Sequence, residues 1–462
     1  MPPQEDAPKD EAPKAKAPRA KAPKSKAASK SKAASKSKAA PKDKAASKDK
    51  APKQETPQGP LDALAKVCAN VRPADAAEGI LGVAPRFVAE PASVAEAAEV
   101  MRVAAEHGLA VVPRGGETRL EWGMPPSRCD LLVDTAGLGK VVEHAAGDLV
   151  VKAEAGLSME RLAEVLAERG QRLALDTPLP GSTIGGTIAT GAAGPLRLLY
   201  GSPRDLVIGL TIIRADGQIA HSGGKVVKNV AGYDLGRLFS GSYGTLGLIV
   251  EAAFRLHPIP TAHAYVTAPV ADLSQAHEAV QAVLHSPVAP SALECDASPS
   301  GTTIGVLLEG VPDGVAARST QVADLLGSEA HISQEAPAWW GAYPDGTTLI
   351  EVTAPPAALR PLLSEAQPQA EAQGQAPVRW SATGKGFVGL EGPADEVADT
   401  LARLRSALAR HNGNAVVRYA PEDVRAQADV WGPVAALTLM RRVKDQFDPE
   451  HRLSPGRFVG GI

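Results

Sequence analysis

From residue 61 onward, apolar positions recur with two rhythms, one near 3.6 residues and one of two, and the switches between them mark elements. LDALAKVCANV reads as a short helix. RFVAEPASVAEAAEVMRVAAEHGLAVVPRGG predicts strand, turn, helix, strand. There Val94, Ala97, Ala98, Met101 and Ala105 form one helical face, Ser93 stands at the N-cap with Glu96 three residues on, and Gly108 ends the helix. DLLVDT, KVVEHA and LVVKAEAG are short strands, SMERLAEVLAERG is a serine-capped helix stopped by Gly170, and LVIGLTIIRADGQIAH is two strands around a turn at Asp216-Gly217. LIVEAAFRLHPIP closes this region with a strand and two prolines, which places a domain boundary at about 260.

Beyond it, strand-like runs (HAYVTAPV, SALECDA, TTIGVLLEG, TTLIEVTA, FVGLEG, AVVRYA) alternate with helix-like runs (ADLSQAHEAVQAVLH, DGVAARSTQVADLLG, PADEVADTLARLRSALARHNG). That is the pattern of an antiparallel sheet backed by helices, so the predicted class is α+β. The expected organisation is a tail over 1–60, a first domain over 61–260, a second over 261–425, and a C-terminal helix and tail over 426–462 that return to the first domain.

Composition changes this picture at the N-terminus. Residues 1–60 are Lys/Ala/Pro/Ser-rich, with near-repeats such as KAASKSK and KAASKDK, and nothing in them builds a core, so disorder is expected. They carry a net charge of +9 against −12 for the remainder, so any weak attraction to polyanions belongs to the tail, with no specific nucleic-acid partner implied. The three cysteines, Cys68, Cys129 and Cys295, lie more than 60 residues apart. They cannot hold an iron–sulfur cluster among themselves, no metal site is expected, and a reducing cytosol fits. The first residues lack a secretory apolar core, and no run of about 18 apolar residues appears, so neither a signal peptide nor a transmembrane segment is expected.

Three glycine-dense stretches carry candidate chemistry. The first, VVPRGGETRLEWG, runs from a strand into Arg114, Gly115, Gly116, Glu117, Thr118 and Arg119. Successive N–H groups of such a turn can converge on a phosphate, although an ordinary strand-to-loop turn reads the same way. The second, TPLPGSTIGGTIATGAAGPLRLLYG, sets glycines among small hydroxylated residues, a flat surface for a ligand or a tight glycine turn. It holds neither a Walker loop nor a GxGxxG fingerprint. The third, GGKVVKNVAGYDLGRLFSGSYGTLGLIVEA, adds Lys225 and Lys228 before the glycines 241, 244 and 247.

In this order, with the final FDPEHRLSPGR, the set resembles the FAD-binding family of vanillyl-alcohol oxidase and MurB type, the PCMH-type FAD domain. The resemblance covers roughly residues 85–260 and 430–458. GGKVVKNVAGYDL is most similar to the FAD-binding subunits of bacterial glycolate oxidases. The resemblance implies a two-subdomain FAD site followed by a cap domain. It implies that Arg114 to Arg119 bind the pyrophosphate and that Pro180, Gly181, Ser182, Thr183, Ile184, Gly185, Gly186, Ala189, Thr190 and Gly191 line the flavin and diphosphate. Lys228 would add charge there, and Gly247, Leu248 and Ile249 would meet the adenosine end through their backbone. Glu117 stands where covalent members carry histidine, so the FAD is expected to be non-covalent and Glu117 to turn outward. Tyr243 and Ser454 replace the usual glutamate and asparagine of their motifs.

For catalysis, the resemblance implies a partner catalytic flavoprotein subunit, an iron–sulfur subunit and a small 2-hydroxy acid as substrate. The histidine-rich HxGDGNxH stretch of related catalytic subunits is absent. His411, in His411-Asn412-Gly413-Asn414, is a weak candidate base that reads better as a helix-end residue. Arg379 and Arg418, at the ends of strands, are candidates for a substrate carboxylate. A non-catalytic assembly subunit and a stand-alone alcohol or sugar oxidase are the competing readings.

Overall fold

The two rhythms resolve into three larger sheets, described by a computed structural model at residues 59–224, 234–271, 273–365 and 376–462. The basic tail with its expected disorder, and Lys225 and Lys228, lie outside the described residues.

The first sheet has the order Val71–Pro73, Phe87–Ala89, Leu131–Asp134, Val111–Arg114. Its last three strands run parallel, which requires the crossover supplied by the helix Val94–Glu106. Ser93 Oγ accepts from the N–H of Glu96 at 3.1 Å, as the capping spacing predicts. The Glu96 carboxylate does something the spacing does not predict: it accepts from the N–H groups of Ala92 and Ala69, tying the end of the helix Pro60–Val67 to the start of the next one.

The second sheet is antiparallel, in the order Val141–Ala145, Val150–Glu154, Leu248–Arg255, Val207–Ile213, Ile219–Gly223. The glycine stretch beside it is not flat. Residues Ile184–Thr190 wind into a helix whose N-cap is Thr183, accepting from the N–H of Gly186 at 3.3 Å, and which ends on Gly191 at φ 64°. Glycine in a helix costs up to about 1 kcal/mol. Packing is what selects it here, because a Cβ on Gly185 would sit 2.9 Å from that of Ala155.

The third sheet is antiparallel and has eight strands, in the order His331–Ser333, Ala262–Val270, Gly301–Gly310, Ala292–Ser298, Val378–Ser381, Lys385–Leu390, Thr348–Thr353, Asn414–Tyr419. Period-two alternation splits it into two faces. Leu293, Cys295, Trp380, Val388, Ile350 and Val417 enter an apolar core with Val280 and Val283 from the helix Leu273–Leu284, Val322 from Pro312–Leu326 and Leu404 from Ala394–Ala409. The opposite face carries Glu294, Asp296, Arg379, Ser381, Lys385 and Glu351.

The C-terminal helix Leu437–Phe447 is followed by a segment that joins the first sheet: Val111 N–H donates to the Arg452 carbonyl and Ser454 N–H to the Val111 carbonyl, both at 2.8 Å. A fully buried ammonium holds this junction. Lys444 Nζ donates to the carbonyls of Thr245 and Leu453, each at 2.8 Å, and pairs with Asp448 at 2.7 Å.

Candidate functional site: a glycine-walled cleft and a charged junction

The strand Val111–Arg114 delivers its following loop against the start of the helix Ile184–Thr190, and the two stretches form the walls of one cleft. The cleft gathers Arg114, Gly115, Gly116, Glu117, Thr118 and Arg119 from one wall, and Thr183, Gly185, Gly186, Ala189 and Thr190 from the other. Gly247, Leu248 and Ile249 complete it. Ile184 and Ser182 lie buried behind the wall, Pro180 and Gly181 are exposed beyond it, and Gly191 terminates the helix.

Several glycines serve the walls themselves. A Cβ on Gly115 would collide with Thr183 Oγ1, and one on Gly116 with the Gly181 carbonyl, so the two loops touch only because both lack side chains. Arg114 brings less free charge than its position implies, because Asp134 at 2.7 Å, Glu78 at 2.9 Å and Glu117 at 3.3 Å surround its guanidinium. The Glu117 side chain is 59% exposed.

Arg119 differs. It is buried, donates to Ser182 Oγ at 3.0 Å and lies 5.5 Å from the Trp122 ring, while its Nε and Nη2 have no hydrogen-bond partner. Two groups of the C-terminal segment line the cleft in the same condition, Arg457 Nη1 and Ser454 Oγ. Burial lowers Arg457 to about 10. Buried donors without acceptors are costly, so the cleft suits an anionic, acceptor-rich ligand. The sequence reading missed Arg457; the motif FDPEHRLSPGR was its only signal.

The helix-ending stretch continues three residues on from Thr190 into Ala193, Gly194 and Pro195, which border a second, smaller cavity against the polar face of the eight-stranded sheet. Lys385, Arg379, Glu294, Ser381 and Tyr343 line it, with Arg197 opposite. Arg379 is anchored by Asp296 and donates to the Trp339 carbonyl at 2.7 Å. Arg418 lies deeper, paired with both oxygens of Glu351, bonded to the Tyr243 hydroxyl and 5.1 Å from the Trp122 ring. Lys385 Nζ lies 2.9 Å from the same Glu351 carboxylate. Burial works against ionising Glu351, but the charges of Arg418 and Lys385 outweigh it and hold its carboxyl at about 2. Burial pushes Lys385 down to about 8, against the pull of Glu351. One carboxylate thus serves two buried cations, leaving the group one positive charge in excess. His411 sits apart, in the turn closing the helix Ala394–Ala409. Among the described residues no cluster of His, Cys, Asp and Glu could hold a metal ion, and no helix is long and apolar enough to cross a membrane.

Residues 85–223 match the FAD binding domain family, and residues 429–458 match the C-terminal domain of FAD linked oxidases. An uncharacterized FAD-linked oxidoreductase of Mycobacterium tuberculosis is 30% identical over 424 residues, covering 81% of this chain and 91% of that protein. The glycolate oxidase subunit GlcD of Bacillus subtilis is 33% identical over 211 residues, 46% of this chain and 45% of that one. Among solved structures, p-cresol methylhydroxylase superposes with a TM-score of 0.67 at 13% identity, covering 86% of this chain and 96% of that one, which is a likeness of fold. The matched segments 85–223 and 429–458 supply most of the cleft wall, including the unpartnered donors Arg119, Ser454 and Arg457, and these donors fit FAD, whose pyrophosphate and ring carbonyls are acceptors. The chain therefore belongs to the PCMH-type FAD-linked oxidoreductases and is an FAD-dependent enzyme.

Proposed function

We propose that this chain is the FAD-bearing, GlcE-type subunit of a glycolate oxidase-type complex, that it oxidises a small 2-hydroxy acid, and that it passes the electrons to partner chains. The observation that carries this reading is the junction cavity. It is small, it adjoins the cleft through one continuous stretch of backbone, and it is lined by Lys385 with an unbalanced positive charge behind it. Such a cavity favours a compact anion. The curated likenesses point the same way, because they include GlcD and a D-2-hydroxyglutarate dehydrogenase of Xanthomonas citri.

In this reading FAD is held without a covalent bond and supplies the two-electron acceptor. The residues of the chain do the rest. Arg119, Arg457 and Ser454 donate to the cofactor's anionic and carbonyl groups. Lys385 holds the substrate carboxylate. Glu351, kept ionised by Arg418, fixes Lys385 at the cavity wall, and the bidentate pair keeps Glu351 compensated when Lys385 turns to the substrate. An iron–sulfur partner would be a separate chain, since Cys68, Cys129 and Cys295 are buried and dispersed.

The test is anaerobic addition of glycolate or D-lactate to the untagged protein purified with whatever accompanies it. Bleaching of the flavin spectrum and copurifying iron are the expected results. A flavin that stays oxidised with every hydroxy acid offered would mark the chain as a non-catalytic subunit instead.

A further inference from the structure

One buried acid in the junction cavity has no part in the scheme so far. Glu294 lies on the strand Ala292–Ser298, on the polar face, almost wholly buried, and its Oε1 has no hydrogen-bond partner. Cross-strand register fixes where it stands relative to Lys385. Glu294 is directly opposite Ser381, and Ser381 is directly opposite Lys385. Two strand spacings separate the backbones of Glu294 and Lys385 by roughly 10 Å. Both side chains border the same cavity, with Ser381 between them, a cation on one side and a carboxyl group on the other.

We propose that Glu294 is the general base of this site, accepting the hydroxyl proton of a 2-hydroxy acid whose carboxylate is held by Lys385. This rests on the function proposed above. The O–H bond of the substrate breaks and its proton passes to the Glu294 carboxylate. The carbonyl C=O forms as the hydrogen on carbon leaves with its electron pair, and the two electrons go to the oxidised FAD that members of this family carry. Among the described residues no histidine lines the cavity to compete for the role.

The surroundings favour a carboxyl group that readily holds a proton. Burial pushes the Glu294 carboxyl well above the usual carboxylate range, with Asp176 adding to the rise and Ser381 and Arg379 opposing it. Asp296 shares the strand face, Lys385 and Glu351 follow on the next strands, and Tyr343, Arg197 and Asp176 approach from the other side of the cavity. Asp176 is the other acid to discriminate. It lies behind Gly194, its Oδ1 is also unpartnered, and burial raises it to about 6. Activity should therefore rise with pH as Glu294 ionises and fall above about 8 as Lys385 loses its proton.

The experiment compares wild type, E294Q, E294D and D176N as FAD-loaded full-length protein. Three quantities are read: the rate of flavin reduction by D-lactate across pH, acetate binding by tryptophan fluorescence, and the infrared band of a protonated carboxyl. E294Q is expected to keep its flavin and bind acetate within about threefold, to lose the infrared band, and to reduce flavin on the order of 10² to 10⁴-fold more slowly with the acid limb gone. E294D should restore part of the rate and the limb, and D176N should keep the limb. An E294Q protein that reduces flavin as fast as wild type, or a limb that vanishes in D176N and persists in E294Q, would overturn the role of Glu294 alone. A wild-type flavin that no hydroxy acid bleaches would overturn the proposed function, and the base with it.

Discussion

Arg119 and Gly116 belong to the same loop and act by opposite means. Arg119 keeps two guanidinium nitrogens without a hydrogen-bond partner, which in the proposed cofactor site would serve the ligand. Arg119→Met should weaken FAD binding by about tenfold or more, in line with the 1.5–3 kcal/mol of a hydrogen bond to a charged group, while leaving the folded apoprotein intact; flavin fluorescence on titration measures it. Gly116 contributes to the wall. Gly116→Ala should push the loop off Gly181, lowering the melting temperature as well as flavin retention. A variant that loses FAD with unchanged thermal stability would contradict the close approach of the two loops. Glycine loops of this kind invite the inference that each missing side chain makes room for the ligand, and at Gly115, Gly116 and Gly185 the first atoms met are the protein's own.

Elements are joined here by single buried groups. The helix Leu437–Phe447 is clipped to the cleft by Lys444, which has no exposed surface and satisfies two carbonyls and Asp448. Removing one member of a buried pair strands the other charge, at a cost of about 3–5 kcal/mol. Lys444→Met should therefore destabilise the fold by that order in denaturant unfolding and loosen FAD, because the clip also fixes the segment carrying Ser454 and Arg457. The helix Ile184–Thr190 is a milder case: Thr183→Ala removes its N-cap and should cost about 1 kcal/mol. This helix was partly legible, since Thr183 and Gly191 are recognisable end signals. Its glycine content hid it, and only contact with Ala155 explains why glycine is there.

Across the assembled fold, charge sets the pH behaviour. In the proposed function the Lys385 ammonium holds the anion at the junction, and its folded value near 8 lies below the ordinary lysine value because burial disfavours the charge. In the E294Q background, affinity for acetate should hold below pH 8 and fall as pH rises through it, by up to about tenfold per unit, and the dependence should disappear when Lys385→Met is added. Glu351 works from the other end. Its folded value of about 2 lies below the ordinary 4.5, so its stabilisation is complete above about pH 4.5 and is lost as pH falls toward 2; thermal unfolding across that range reads it. Every residue assigned to the two cavities lies between 112 and 457, so deletion of residues 1–55 should leave flavin content unchanged.

The chain's order of residues carried the glycine loops that wall the cleft, because each is a contiguous run: a strand leading into Gly115-Gly116, the small-residue stretch at 181–194, a strand starting at Leu248; it carried neither the helical form of the second stretch nor Arg457. Local backbone geometry fixes such turns, and local geometry is written in consecutive residues. The same rhythm of two placed Glu294 with Asp296, and Arg379 with Ser381, on common faces of their own strands. It could not say that these strands are neighbours, that Lys385 and Glu351 join them, or that this face rather than the other looks toward the cleft. Those facts follow from pairing across separations of up to about ninety residues and from which face the helices bury, and both are properties of the packed chain.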